Sequence, residues 1–193
     1  MQQPRVGDPT LSAWVLTPPS IGRPKGRFAP FAPPLMSNVR PHLQPSRSIE
    51  QVDPQSWSAL SLLREAAIEA RALYPESGTP NAQWPGNAPT PPRGVYLVAF
   101  VGGGPVACGA LRPIDEQAVE IRRLFVISGA RRQGHARALL SALERYAAGY
   151  GFNVMLLETG NRQSAAMALY ESYGFERIAP FGGMPAIPPA FAI

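Results

Sequence analysis

The hydrophobic positions along the chain change period several times, and each change predicts a new element. Residues 47–52 are expected to form a strand. A helix then starts at Asp53-Pro54, because an aspartate N-cap is followed by proline at the first helical position. Apolar side chains recur at helical spacing until Pro75, which ends the predicted helix. The predicted buried face comprises Trp57, Leu60, Leu63, Ala67, Ala70 and Tyr74.

The second half of the chain has the clearer pattern. Residues 75–94 carry Pro, Gly, Asn and Thr and predict a long loop, after which the apolar segments 95–101 and 106–112 predict a β-hairpin. The further predicted elements are a strand at 118–126, a helix at 133–148, a strand at 152–158, a helix at 164–173 and a short strand at 175–178. This order predicts an α/β fold, a mixed sheet flanked by helices, in one domain of residues 47–193.

Residues 1–46 have a different composition from the rest of the chain. Proline pairs at 18–19 and 33–34, with further single prolines, disfavour a regular helix or a central strand. We expect a flexible, proline-rich tail, disordered or loosely packed, and give less weight to a partner-binding arm. Another interpretation is that Met36 is the true start.

The composition favours a soluble globular protein that binds an anion. The 193 residues are 45% hydrophobic and 16% charged, and the net charge of +5 comes almost entirely from arginine. Several arginines cluster within residues 122–137, which an anionic small ligand explains better than nucleic acid does. Single-strand binding would also require aromatic residues interleaved on a basic face.

The single cysteine, Cys108, excludes an intramolecular disulfide and a thiol-based metal site, and no other metal-ligand spacing occurs. The chain shows no signal peptide and no apolar segment of transmembrane length. We therefore expect a cytoplasmic protein without a metal or a membrane partner. Assembly as a homodimer stays open.

The sequence Arg131-x-x-Gly134-x-Ala136 lies between a predicted strand and a predicted helix. Small residues at positions 134 and 136 allow a bulky group to approach the backbone closely. The helix N-terminus behind them offers unpaired N–H groups and a partial positive charge. This combination predicts an anion site, and pyrophosphate is the usual anion.

This segment resembles the coenzyme-binding core of the GNAT superfamily of acetyl-CoA-dependent N-acyltransferases. A second segment, the Ala-x-x-Leu-Tyr-x-x-x-Gly-Phe sequence that ends at Phe175, matches another motif of that family in the right order. The resemblance covers roughly residues 47–181 and implies an N-acetyltransferase with acetyl-CoA as co-substrate. The coenzyme contacts that it implies are Leu124, Phe125, Val126, Arg131, Arg132, Gln133, Gly134, His135, Ala136, Arg137, Asn161, Gln163 and Ala166.

The predicted strand at 118–126 has an irregularity. Its alternation breaks at Arg122-Arg123 and resumes out of phase at Leu124, which predicts a β-bulge; the alternative is a strand that is merely irregular. By the resemblance, the bulge separates two strands and the pantetheine arm lies between them. The resemblance further implies that the Leu124 N–H stabilises the oxyanion and that Val126 pairs with the pantetheine amides.

Three further side chains are candidates for the chemistry. Glu120 is a carboxylate in an otherwise apolar strand, so desolvation should raise its pKa and suit it as the general base; an ion pair with Arg122 or Arg123 is an equal alternative. The resemblance implies that Tyr170 protonates the departing thiolate, whereas the alternative is a tyrosine packed against the sheet. Arg112 is a candidate for binding an acceptor carboxylate. The predicted reaction is acetyl transfer to a primary amine of a small molecule, by direct attack in a ternary complex.

Two features depart from the family's pattern. Gln163 stands where the family commonly has asparagine, with Asn161 nearby. Where the family adds a further long strand, residues 182–193 contain three prolines, which disfavour a central strand. We therefore expect the C-terminus to be shortened or replaced, and an absent strand would leave a sheet edge unpaired unless the tail covers the gap irregularly. The alternative function is a non-catalytic acyl-CoA-binding module.

Overall fold

In a computed structural model of the chain, residues 11–17, 45–77 and 86–181 are described. Their strands form one mixed sheet in the order β2-β3-β4-β5-β6-β1-β7, which confirms the predicted α/β fold. The elements are β1 (Leu11–Leu16), β2 (Arg47–Gln51), α1 (Trp57–Leu73), β3 (Val95–Val101), β4 (Gly104–Pro113), β5 (Ala118–Val126), α2 (His135–Gly149), β6 (Val154–Gly160), α3 (Ser164–Tyr173) and β7 (Glu176–Ile178).

The prediction of a flexible tail over residues 1–46 is wrong for Leu11–Leu16, which form strand β1. This strand pairs antiparallel with β6 on one side and with β7 on the other, and its Trp14 is buried. The reason is local: the six residues are mostly apolar and contain no proline, while the nearest prolines lie at positions 9 and 18. Residues 1–10 and 18–44 lie outside the described residues.

The predicted unpaired edge stays a prediction. Strand β1 lies between β6 and β7, and β7 is the last strand of the described sheet. The strand that fills this place comes from the N-terminal part of the chain. Residues 182–193, the C-terminus that was expected to be shortened or replaced, lie outside the described part.

Helix α1 begins later than predicted, at Trp57. Ser56 is its N-cap and accepts a hydrogen bond from the Ala59 N–H at 3.3 Å, whereas Asp53 caps the preceding turn by accepting from the Gln55 N–H at 2.7 Å. The predicted face is wrong at the start, since Trp57 is 76% exposed. Small alanines let the helix pack closely on the sheet, and the buried face is Ala59, Leu62, Leu63, Ala66, Ala67 and Ala70.

The hairpin is confirmed, with β4 starting at Gly104 rather than at residue 106. Gly102 and Gly103 form its turn with φ values of 58° and 82°, which side chains rarely adopt. The sheet is covered on both faces, as its apolar strands predicted. The larger cluster lies under α2 and α3 and includes Trp14, Leu139, Leu140, Leu143, Leu157, Tyr170 and Phe175. The smaller cluster lies under α1 and includes Leu62, Tyr96, Val98, Cys108 and Phe125.

Candidate active site

The parallel strands β5 and β6 separate towards their C-terminal ends. They are paired only where residues 118–120 lie opposite residues 154–156, although β5 runs on to Val126 and β6 to Gly160. Beyond the paired residues, the facing N–H and C=O groups have no strand partner and need another one. An extended ligand in this gap, which we call the β5–β6 cleft, can supply it.

The predicted bulge in β5 is confirmed. Ala110 of β4 lies opposite Arg122 and Cys108 lies opposite Phe125, so Arg123 and Leu124 together face the single residue Gly109. Arg123 has φ of 59°, a conformation that is uncommon for residues other than glycine. A Cβ on Gly109 would lie 3.3 Å from Leu124 Cδ1, so the glycine leaves room for the Leu124 side chain. The bulge thus sets Leu124 outside the regular β4–β5 ladder, beside the cleft.

Buried polar contacts hold this bulge in place. The Cys108 thiol donates to the Arg123 carbonyl at 3.2 Å, and Arg123 Nε donates to Asn87 Oδ1 at 3.3 Å. Asn87 is itself tied to the start of α1, because its Nδ2 donates to the Pro54 carbonyl at 3.0 Å. Burial raises the pKa of Cys108 to about 11, which leaves the thiol protonated and a poor nucleophile. Cys108 is therefore a structural residue.

The N-terminus of α2 is open. Gly134 is the N-cap, with φ of 85°, and no side chain caps the helix. A Cβ at Gly134 would meet no atom within 4 Å, so the predicted close approach to this backbone is sterically free. Unpaired N–H groups at such a helix start bind anions well.

The side chains of the predicted phosphate loop are directed to different places. Arg131 donates through Nε to the Val126 carbonyl at 3.0 Å and forms an ion pair with Glu69, and Gln133 donates to the Gly129 carbonyl at 3.2 Å. Arg132 is exposed with φ of 60°, and Ala136 is half-buried in the first turn of α2. The loop therefore presents mainly backbone to the open helix end.

Arg137 and His135, which were also predicted to contact the coenzyme, direct their side chains to other parts of the fold. Arg137 reaches α3, donating to the Ser172 hydroxyl at 2.9 Å. His135 is buried beside Arg47, Ala99 and Phe100, under the β2–β3 edge of the sheet rather than at the β5–β6 cleft. Burial, with Arg47 nearby, lowers the pKa of His135, so it is largely neutral at pH 7.

The downstream residues predicted to contact the coenzyme lie where β6 passes into α3. The Thr159 hydroxyl and Gln163 Oε1 are 3.1 Å apart and hydrogen-bonded, while Gln163 Nε2 is buried with no hydrogen-bond partner. Asn161 is exposed in the intervening turn, and Ala166 packs against the larger cluster. An orphaned amide N–H₂ beside the end of β6 fits a residue that awaits a ligand carbonyl.

Glu120 lies on the face of the sheet covered by α1, below the cleft. It is directly opposite Arg112 on β4, and Arg122 Nη1 donates to its Oε2 at 3.2 Å. Glu158 lies two residues beyond Leu156, which is opposite Glu120 on β6, so its side chain shares the same face. Burial raises the pKa of Glu120, Arg122 and Arg112 oppose that rise, and Glu158 adds to it. Glu120 therefore forms the ion pair with Arg122, which was one of the two alternatives. Its carboxylate still binds a proton more tightly than that of an ordinary glutamate.

Tyr170 lies on the opposite face, in the larger cluster. It is only 4% exposed, and burial raises its pKa well above the normal phenol value. Its ring lies 6.2 Å from that of Trp14 and 5.9 Å from that of Phe175. Tyr170 therefore packs against the sheet, as the alternative to a catalytic role predicted. Its phenol stays protonated.

Sequence reasoning missed two residues near the site. Glu158 carries the same signal as Glu120, a carboxylate within an apolar strand, and its Oε1 accepts from the Phe181 N–H at 3.0 Å. Trp14 lies in an apolar run that the surrounding prolines obscured. A short apolar run without proline, such as residues 11–16, is consistent with a buried strand.

No group of three or more His, Cys, Asp or Glu side chains is gathered as a metal set within residues 11–17, 45–77 and 86–181. The same stretches contain no helix that is long and apolar enough to span a bilayer.

Curated acetyltransferases are among the proteins that this chain is similar to. Human N-acetyltransferase 8 is 41% identical over 81 residues, 42% of this chain and 34% of that protein. The IAA acetyltransferase of Azospirillum brasilense is 40% identical over 88 residues, 45% of this chain and 58% of that protein. The aligned segments therefore span less than two thirds of either relative.

Solved structures share the fold. A Klebsiella pneumoniae protein assigned as an acyl-CoA N-acyltransferase superposes with a TM-score of 0.58 at 27% identity, over 74% of this chain and 91% of that one. An acetyltransferase from Streptococcus agalactiae gives a TM-score of 0.53 at 17% identity, over 72% and 88%, which is a likeness of fold alone. Residues 59–175, more than half of the chain, match the family model described as "Acetyltransferase (GNAT) family". The resemblance seen in the sequence is thus confirmed, and this chain belongs to the GNAT acetyltransferase family.

Proposed function

We propose that the protein transfers the acetyl group of acetyl-CoA to the primary amine of a small molecule. The observation that carries the proposal is the β5–β6 cleft together with the uncapped N-terminus of α2, the helix that follows β5 in the chain. The diphosphate would bind the N–H groups behind Gly134, and the pantetheine arm would extend into the cleft. Gln163 Nε2, buried without a partner, would bind a carbonyl of that arm.

Charged groups near Glu120 support an amine acceptor. The acceptor would arrive as an ammonium ion and lose a proton to Glu120, directly or through one water. A raised pKa makes Glu120 a better base than an ordinary glutamate. Arg112 is exposed, lies opposite Glu120 and would bind a carboxylate carried by the acceptor.

The transfer itself would be direct. The free amine nitrogen attacks the thioester carbonyl, and the C–N bond forms while the carbonyl oxygen becomes an oxyanion bound by the Leu124 N–H. Collapse of this intermediate breaks the C–S bond, and the departing thiolate takes the proton of the Tyr170 hydroxyl. The nitrogen, which gained a positive charge on attack, gives up its extra proton and leaves a neutral amide, and that proton restores the Tyr170 phenol directly or through water. Glu120 and Tyr170 lie on opposite faces of the sheet, so in this proposal each would reach the ligand through the β5–β6 cleft.

Thiol release from acetyl-CoA across a panel of amines tests the proposal. The expected result is turnover with at least one amine, and a drop in kcat of about 10²–10⁴ for Glu120→Gln and for Tyr170→Phe. Acetyl-CoA should also raise the melting temperature of all three proteins, because binding to the native state stabilises it. Stabilisation by acetyl-CoA without turnover of any amine would instead favour the non-catalytic acyl-CoA-binding module.

A further inference from the structure

Strand β1 lies outside residues 59–175, the part of the chain that matches the family, yet it contacts the residue proposed as the acid. We propose that Trp14 is a positioning residue for Tyr170, so that the N-terminal strand forms part of the catalytic centre. This inference rests on the proposed function, in which Tyr170 protonates the thiolate.

Packing alone orients the Tyr170 ring. Its hydroxyl makes no hydrogen bond to another residue in the part of the chain that the structure describes. Trp14 contacts one side of the ring, with planes inclined by 55°, and Phe175 contacts it edge-on at 61°. Aromatic pairs at these separations are attractive and have preferred geometries. These two aromatic neighbours therefore help to set the direction of the hydroxyl within the larger cluster.

The sheet holds Trp14 firmly. Trp14 lies opposite Leu157 of β6 and opposite Arg177 of β7, so the strand that carries it is fixed on both edges. The Arg177 guanidinium lies 4.9 Å from the centre of the Trp14 ring, and only 1% of Trp14 is exposed. A rigid support of this kind limits the positions that the Tyr170 ring can adopt.

Trp14 also fills the space beside the Tyr170 ring. Loss of the indole would leave a cavity beside Tyr170, into which the ring can rotate and water can enter. A displacement of about 1 Å is enough to cost about 100-fold in rate when a catalytic group must meet its target. Loss of Trp14 should therefore lower kcat through Tyr170, rather than weaken coenzyme binding.

Steady-state kinetics test whether Trp14 acts through Tyr170. The variants are Trp14→Ala, Trp14→Phe, Tyr170→Phe and the double variant Trp14→Ala/Tyr170→Phe. We expect Trp14→Ala to lower kcat about 100-fold and to change the KM for acetyl-CoA less than about threefold, while Trp14→Phe restores most of kcat. In the Tyr170→Phe background, Trp14→Ala should have little further effect, because both changes act on one group. Water access should also move the alkaline limb of the kcat profile to lower pH in Trp14→Ala.

Leu16→Ala is the matched control, since Leu16 is a fully buried residue of the same strand. It should lower the melting temperature, as Trp14→Ala does, but leave kcat within about twofold at a temperature where both are folded. The inference is overturned if Trp14→Ala affects kcat no more than Leu16→Ala, or if its full effect persists without the Tyr170 hydroxyl. If Trp14→Ala does not fold, Trp14→Leu, which also lacks the ring, takes its place in both backgrounds and is judged by the same criterion.

The kcat values of Tyr170→Phe and Trp14→Ala distinguish a failure of the proposed acid from a failure of the proposed role of Trp14. An unchanged kcat in Tyr170→Phe would refute Tyr170 as the acid, and this inference with it. A large effect of Tyr170→Phe together with a silent Trp14→Ala would refute only the role of Trp14.

Discussion

Arg122 Nη1 lies 3.2 Å from Glu120 Oε2, and their side chains are only 11% and 8% exposed, so the candidate base carries a built-in counterion. Burial raises the pKa of Glu120, and the Arg122 charge holds part of that rise back. A base must be ionised to act, so activity falls as the pH drops through its pKa. Arg122→Gln should therefore move the acid limb of the kcat/KM profile to higher pH. Glu116→Gln, on a side chain that is 95% exposed, is the control and should leave the limb in place.

A substitution at Glu158 should shift the pH profile in the opposite direction. Its negative charge on the same face raises the pKa of Glu120, so Glu158→Gln should move the acid limb to lower pH. A profile that responds to Arg122 but not to Glu158, or that moves in the same direction for both, would refute Glu120 as the titrating base. Profiles in kcat/KM across the acid range supply the measurement.

Gly134 allows a strain-matched test of coenzyme binding. Gly134 and Gly151 have φ values of 85° and 82°, and a Cβ on either would meet no atom within 4 Å. Gly134→Val and Gly151→Val therefore impose similar backbone strain, one at the phosphate loop and the other after α2. We expect Gly134→Val to weaken acetyl-CoA binding at least about tenfold, and Gly151→Val to leave it unchanged. Calorimetric titration measures both, and equal affinities would argue against a diphosphate at this helix end.

Arg112 tests the class of the acceptor. Because Arg112 is exposed and lies opposite Glu120, Arg112→Ala should raise the KM for carboxylate-bearing amines about 10- to 100-fold. The matched amide or ester of the same amine should be affected far less, because it has no anionic group to lose. An equal loss for both acceptors would place Arg112 outside the acceptor site.

Much of the fold was predictable because most elements have a strong period. Strand β5, its bulge and α3 agree with the sequence pattern, since the phase slip at Arg122-Arg123 and the regular spacing in α3 are local signals. The face of α1 was not predictable from hydrophobicity alone. Alanines that allow close packing, rather than the large Trp57, determine which side is buried.

The site was predictable only in part. The open turn at Gly134 follows from its small residues, and Glu120 follows from its place in an apolar strand. No local sequence pattern could predict the contact between Trp14 and Tyr170, because these residues are far apart in the chain. The strand that carries Trp14 is also flanked by prolines, which disfavoured a strand there. The direction of His135, towards the β2–β3 edge, likewise depends on how α2 lies over the sheet.

Strand β1 provides a test of stability. Val15 lies opposite Leu156 on one side and Glu176 on the other, so Val15→Pro removes an N–H from a strand with neighbours on both edges. We expect its melting temperature to fall by at least about 5 °C, compared with a small change for Val15→Ala. Thermal unfolding followed by circular dichroism measures the difference, and equal melting temperatures would mean that β1 adds little to the stability of the sheet.

The place of β1 also has a consequence for the order of assembly. Leu11 lies opposite Gly160, so an early part of the polypeptide must wait for a late part before the two can join. During synthesis, β6 and β7 have to leave the ribosome before the sheet can be closed around β1. Such long-range closure slows folding, and until it occurs the edges of β6 and β7 are exposed to pairing with other newly made chains.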